Sequence, residues 1–174
     1  RLGCALAIEC TLLAKKTPNI LFMAGSTQEE VGLRGASATA ELINPDVALV
    51  LECPPMEDTP GFKAEESQGA LGKGVQIRAY DPTMIANPKL IELVLATARE
   101  EKIPHQLTVR ATGGTNAGKI HLHRQGVPSV VLGVPARGIH SHTAVMNMDD
   151  YVAARRLVLA LLARLDRKTV AGLV

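Results

Sequence analysis

The chain has 174 residues with 47% hydrophobic side chains, a formal net charge of +2, and only two Phe, two Tyr and no Trp. That length and apolar fraction suit one globular domain whose core is built from Ala, Val, Leu and Ile. With no long run of either charge, nothing supplies an electrostatic footprint for nucleic acid or an acidic membrane surface, and small-molecule or peptide substrates fit better.

Three cysteines, Cys4, Cys10 and Cys53, show no CxxC spacing, so neither a disulfide framework nor a zinc knuckle is indicated and a cytoplasmic setting is the default. The longest apolar runs are shorter than a membrane span, and the N-terminal one carries Glu9, which also disqualifies it as a signal-peptide core. Because the chain opens with Arg1 directly into an apolar helix pattern, it reads as a piece of something longer.

Helix-like and strand-like segments alternate. The pattern predicts a helix over 2–15, a buried strand over 19–25 (NILFMAG), a helix over 34–43 and a strand over 46–52. A strand over 74–80, a helix over 87–102 with Pro88 near its start, and a strand over 105–111 follow. A short helix near 116–124 and a strand over 128–134 come next. The closing helix, from Met148 to Leu165, places Ala154, Val158, Leu161, Leu162 and Leu165 on one stripe, with Asn147 as its N-cap. This alternation implies an α/β fold around a mostly parallel sheet. Residues 53–73 show no periodicity over a length that usually marks a functional loop.

In open α/β sheets functional groups gather at the carboxyl ends of the strands. Here those ends carry Glu29 and Glu30, then Glu52, then TGGTNAG (112–118), then ARGIHSH (136–142). Carboxylate and imidazole are the ligands of catalytic zinc and similar cations, and a further carboxylate beside them can act as general base on an activated water. Neighbouring residues of an extended chain point to opposite sides, so one glutamate of the pair can ligate while the other faces the water. The competing reading is that Glu29 and Glu30 merely cap the helix that follows.

The blocks STQEEVGLRGA, LVLECPPMEDTPG, GGTNAGKIHLHRQGVPSVVLGVPARGIHSH and MDDYVAA resemble, in order and over nearly the whole chain, those of the glutamyl and tetrahedral aminopeptidase family. These are cobalt- or zinc-dependent exopeptidases, some of whose members are described as endoglucanases. The resemblance implies a three-layer, zinc-peptidase-like α/β fold, a mostly parallel mixed sheet with helices on both faces. Residues 1–174 would then be the C-terminal part of a catalytic domain, without an upstream segment and a small β domain used for dimer and dodecamer assembly. It implies Glu29 as general base, Glu30 and His140 as ligands of one metal, and Glu52 as ligand of the other. Gly114, Asn116 and Arg137 fall in blocks that face substrate.

By the same resemblance the cofactors are two divalent ions, zinc or cobalt and also manganese, which accept this mixed donor set. The substrate is a peptide, with acidic N-terminal residues the first expectation, and the assembly a homo-oligomer. A distant histidine and a bridging aspartate of the family have no counterpart, so the chain alone is expected to be inactive. Asn116 replaces a common Asp, and Gly138 a common aromatic, which puts substrate preference in question. His142 could ligate in place of His140, although family order favours His140. His105, His121 and His123 read as ordinary structural or surface histidines.

Three rival readings come from the same residues. Gly113, Gly118 and Lys119 satisfy part of a phosphate-binding loop, but Ile120 stands where a Mg²⁺-holding Ser or Thr is needed. Paired carboxylates could serve a glycoside hydrolase, but that chemistry needs them roughly 5 to 9.5 Å apart around a sugar, and the chain is poor in stacking aromatics. A non-catalytic interaction module is the third.

Overall fold

The computed structural model describes residues 1–15, 17–56, 58–63 and 67–174, so Glu57 and residues 64–66 of the predicted 53–73 loop lie outside the described residues. The elements are α1 (Leu2–Leu13), α2 (Arg34–Ile43), β1 (Ala48–Glu52), β2 (Val75–Asp81), β3 (Met84–Ile85), α3 (Pro88–Glu100) and β4 (His105–Val109), followed by α4 (Ala117–Ile120), β5 (Ser129–Gly133), β6 (Ala136–Arg137), β7 (Val145–Met146), α5 (Met148–Arg164) and α6 (Arg167–Ala171). The main sheet runs β1, β5, β2, β4, with the short β3 paired to the end of β2. It is mixed: β1 with β5 and β2 with β4 are parallel, whereas β5 with β2 and β2 with β3 are antiparallel. A second, two-stranded ribbon joins β6 to β7.

Two apolar layers sandwich the sheet. On one face Leu6 of α1, Leu90 of α3 and Leu157 and Leu161 of α5 pack on Ile77 and Leu132, all fully buried. On the other, Ala117 of α4 closes over Val50, Val131 and Met84. Every residue of β5 is buried, as expected for a strand covered on both faces. Each large core side chain contributes roughly 1.5–3 kcal/mol of burial. The predicted α5 stripe is buried throughout, and the Asn147 side chain accepts the Asp149 N–H at 2.7 Å, a cap worth about 1 kcal/mol. α1 is pinned to α5 where Glu9 accepts from Arg155 Nη1 at 2.6 Å and from the Tyr151 hydroxyl at 2.8 Å.

One predicted strand is not one. Residues 19–25 pair with no strand among the described residues, and Ile20, Phe22 and Met23 are exposed, leaving Leu21 to pack against the core. An apolar run becomes a strand only where a neighbouring backbone accepts its N–H and C=O groups, and no such neighbour is present in the described residues. The helix expected near 116–124 contracts to the four residues of α4.

Candidate active site

The Glu29–Glu30 segment is a tight loop held by its own backbone. Gly35 N donates to Thr27 O at 2.9 Å, Arg34 N to Gln28 O at 3.2 Å and Leu33 N to Glu29 O at 3.0 Å. These bonds take up the N–H groups of Leu33, Arg34 and Gly35, and no side chain caps α2, so neither glutamate caps it through a hydrogen bond. Gln28 and Leu33 both sit in the left-handed region at φ 58° and 57°, a strain of order 1 kcal/mol each. Gly35 makes the closure possible, because a Cβ there would run into the backbone of Thr27.

Glu52 is the last residue of β1 and lies opposite Gly133 of β5, where any side chain would strike the ring of Pro54. His140 stands in the β6–β7 loop at φ 58°, in a turn held by the Ser141 hydroxyl, which donates to Gly138 O and Thr143 O at 2.5 and 2.8 Å. The loop carries His140 Nε2 to 3.4 Å from Glu30 Oε2, with both side chains exposed.

The carboxylates feel one another. Burial first, then the charge of Glu29, push the Glu52 carboxyl up to about 7, while Arg78 pulls the other way. Glu29 is likewise raised, by burial and by Glu30, with His140 opposing. Three carboxylates and an imidazole from three separate strand ends or loops therefore share one electrostatic neighbourhood. Among the described residues, no three His, Cys, Asp or Glu side chains are close enough to hold one metal ion together. Negative groups that repel each other, beside a ready imidazole, nonetheless match the hard and borderline donors of divalent cations. The donor chemistry fits as two partial sets, Glu30 with His140 and Glu52 on its own.

The remaining predicted residues, Gly114, Asn116 and Arg137, each have surroundings of their own. Gly114 packs against Thr83, whose Cγ2 would lie 2.6 Å from a Cβ at that position. Thr83 also blocks any Cβ at Gly118, and is itself fixed by Asp81, whose Oδ1 accepts both its N–H at 2.8 Å and its hydroxyl at 2.7 Å. The glycines of TGGTNAG thus serve close packing against Thr83. The Asn116 amide oxygen is buried without a hydrogen-bond partner among the described residues. Arg137, at the end of β6, is engaged by Asp58. His121 bonds to Ala117 O at 2.8 Å, His123 to Asn44 Oδ1 at 3.0 Å and His105 to Ile103 O at 2.8 Å, in keeping with their structural reading. Thr83, Asp81, Arg78 and Asp58 escape sequence reasoning because each acts through a partner distant in the chain or through a fit no periodicity records.

A family model described as M42 glutamyl aminopeptidase matches residues 1–157. The chain belongs to the M42 family. Its resemblance to that family, read from four sequence blocks, is therefore correct. Among M42 relatives, the glutamyl aminopeptidase of Lactococcus lactis is 39% identical over 98% of this chain and 47% of its own length. The lysyl aminopeptidase of Pyrococcus furiosus is 32% identical over 83% of this chain and 41% of its own. The crystal structure of a TET aminopeptidase from a marine sediment archaeon of the Thaumarchaeota superposes with a TM-score of 0.95 at 43% identity, covering all of this chain and 50% of that one. The fold is thus an M42 catalytic fold, and the chain spans about half the length of the M42 relatives it matches.

Proposed function

We propose that this M42 chain supplies the general base and three cation ligands of a two-metal aminopeptidase that removes N-terminal residues from peptides. The observation that carries the reading is the shared neighbourhood of Glu29, Glu30 and His140 with Glu52, the last residue of β1. In it, Glu30 and His140 would hold one divalent cation and Glu52 would contribute to holding the other, with zinc, cobalt and manganese all compatible. Cations bound there would supply Lewis acidity toward the scissile carbonyl and the attacking water. Glu29 accepts a proton from that water as its oxygen bonds to the carbonyl carbon. It then delivers the proton to the amine nitrogen as the C–N bond breaks. Burial and the adjacent Glu30 raise the proton affinity of Glu29, which suits a group that must take up a proton and give it back. Gly114, Asn116 and Arg137 flank the peptide.

Assembly into a homo-oligomer belongs to the same reading, supported by the likeness to a TET aminopeptidase. A cytoplasmic setting does too, in keeping with three free cysteines; no helix among the described residues is long and apolar enough to cross a membrane. Residue preference does not follow from family, since glutamyl and lysyl enzymes are both relatives. The test is chelation of the full-length protein. Hydrolysis of aminoacyl p-nitroanilides is expected to stop and to return on adding zinc, cobalt or manganese, and hydrolysis indifferent to chelator would overturn the metal-dependent reading.

A further inference from the structure

Glycine is a poor helix former, yet Gly3 occupies the first turn of α1. A Cβ there would run into the carbonyl oxygen of Leu51, 3.1 Å from the carbonyl carbon and 3.6 Å from the N of Glu52. These atoms belong to the peptide that joins Leu51 to Glu52, so no side-chain rotation relieves the clash. Further along, α1 is held down: Leu6 and Cys10 are buried beneath it, and Glu9 is bonded to Arg155 and Tyr151 of α5. Backing the helix off would disturb all of these.

The contact comes from one face of the sheet. Leu49 and Leu51 pack with Leu6 in the α1 layer, whereas Val50 belongs to the opposite layer, and strand alternation puts the Glu52 side chain on the side of Val50. On that side the strand partner of Glu52 is Gly133, where a Cβ would fall 2.6 Å from Pro54 Cγ and 3.7 Å from Gln76 Cβ. A glycine therefore stands on either face of residues 51–54. Gly3 lets α1 settle on the backbone leading into Glu52, and Gly133 lets the Pro54 ring, two residues beyond it, lie over β5. Val134 N, donating to Glu52 O at 3.0 Å, ties the same backbone sideways to the chain leaving β5.

We propose that Gly3 and Gly133 are positioning residues for Glu52, fixing the backbone on both sides of it so that its carboxylate meets a divalent cation at one set place. This rests on the two-cation reading above and deepens it.

The experiment titrates zinc alone into metal-free, full-length wild type, Gly3→Ala, Gly133→Ala, Glu52→Gln and Leu6→Val by calorimetry, with thermal unfolding of each. Groups that orient a ligand change cation affinity by roughly 10–100-fold when lost. Gly3→Ala and Gly133→Ala are each expected to weaken one zinc site about tenfold, the same site that Glu52→Gln weakens. Leu6→Val removes a methylene one turn along α1 and adds no atom near Glu52; it is expected to lower the melting temperature and leave zinc affinity as in wild type. Wild-type zinc affinity in folded Gly3→Ala overturns the proposal and leaves that glycine a packing contact only. An equal loss of affinity in Leu6→Val overturns it as well, because general loosening of α1 would then account for the effect. If Gly3→Ala does not fold, Gly133→Ala decides: a loss of affinity supports the proposal and none overturns it. Zinc binding unchanged in Glu52→Gln overturns the reading of Glu52 as a ligand, and this inference with it.

Discussion

Glu52 is the residue whose charge the fold resists. Its carboxyl ordinarily titrates near 4.5 and is pushed to about 7 by burial and by Glu29. The folded state therefore binds this proton more tightly than the unfolded chain, so stability is lost as pH rises from about 4.5 to 7 when no divalent cation is bound. The difference corresponds to roughly 3 kcal/mol. Glu52→Gln is expected to remove that loss, so that with chelator at pH 8 the variant melts above wild type while at pH 4.5 the two nearly coincide. Thermal unfolding across that range checks it, and equal melting temperatures at both pH values would show that Glu52 carries no such load. Added divalent metal should stabilise wild type and leave Glu52→Gln much less affected.

At the scale of elements, the seat of α2 decides where Glu29 and Glu30 point. Gly35→Ala forces a Cβ onto Thr27 and must shift the loop from 27 to 33. It is expected to cost about 1–3 kcal/mol in urea unfolding, as an overpacked contact does; a variant as stable as wild type would mean that the loop yields freely. Long amphipathic elements were legible from sequence. The α5 stripe and its Asn147 cap emerge as read, because periodicity and capping chemistry are local. β3, β6 and β7 are two-residue strands too short to carry a period, and they exist because a neighbouring backbone meets them. Residues 19–25 fail for the converse reason, an apolar pattern without a pairing partner among the described residues. The site divides the same way. The strand-end rule pointed to Glu52 at the end of β1 and to His140 beyond β5, but reached Glu29 and Glu30 only through a strand over 19–25 that does not form among the described residues; the separate roles of all four are what the family resemblance implies. The Asp58–Arg137 and Asp81–Thr83 pairs join residues whose closeness only the fold creates or whose purpose only packing shows.

For the molecule as a whole, the parallel pairing of β1 with β5 sets Glu52, the last residue of β1, beside Gly133, and the chain leaving β5 runs on into the β6–β7 loop that carries His140 to Glu30. The antiparallel β2 then sends Arg78 back toward Glu52 and, through Asp81 and Thr83, buttresses the loop that carries Gly114 and Asn116. Such a scaffold is rigid where chemistry needs fixed distances and strained where the glutamate pair must be held out. The most direct test of the proposed chemistry is the rate of leucyl-p-nitroanilide hydrolysis by full-length, metal-loaded protein before and after Glu29→Gln, with bound metal measured in both. A fall in kcat of roughly 10²–10⁴ with metal content unchanged is expected for loss of a general base. A variant that keeps the wild-type rate would contradict the role of Glu29, and one that loses its metal would make Glu29 a ligand instead.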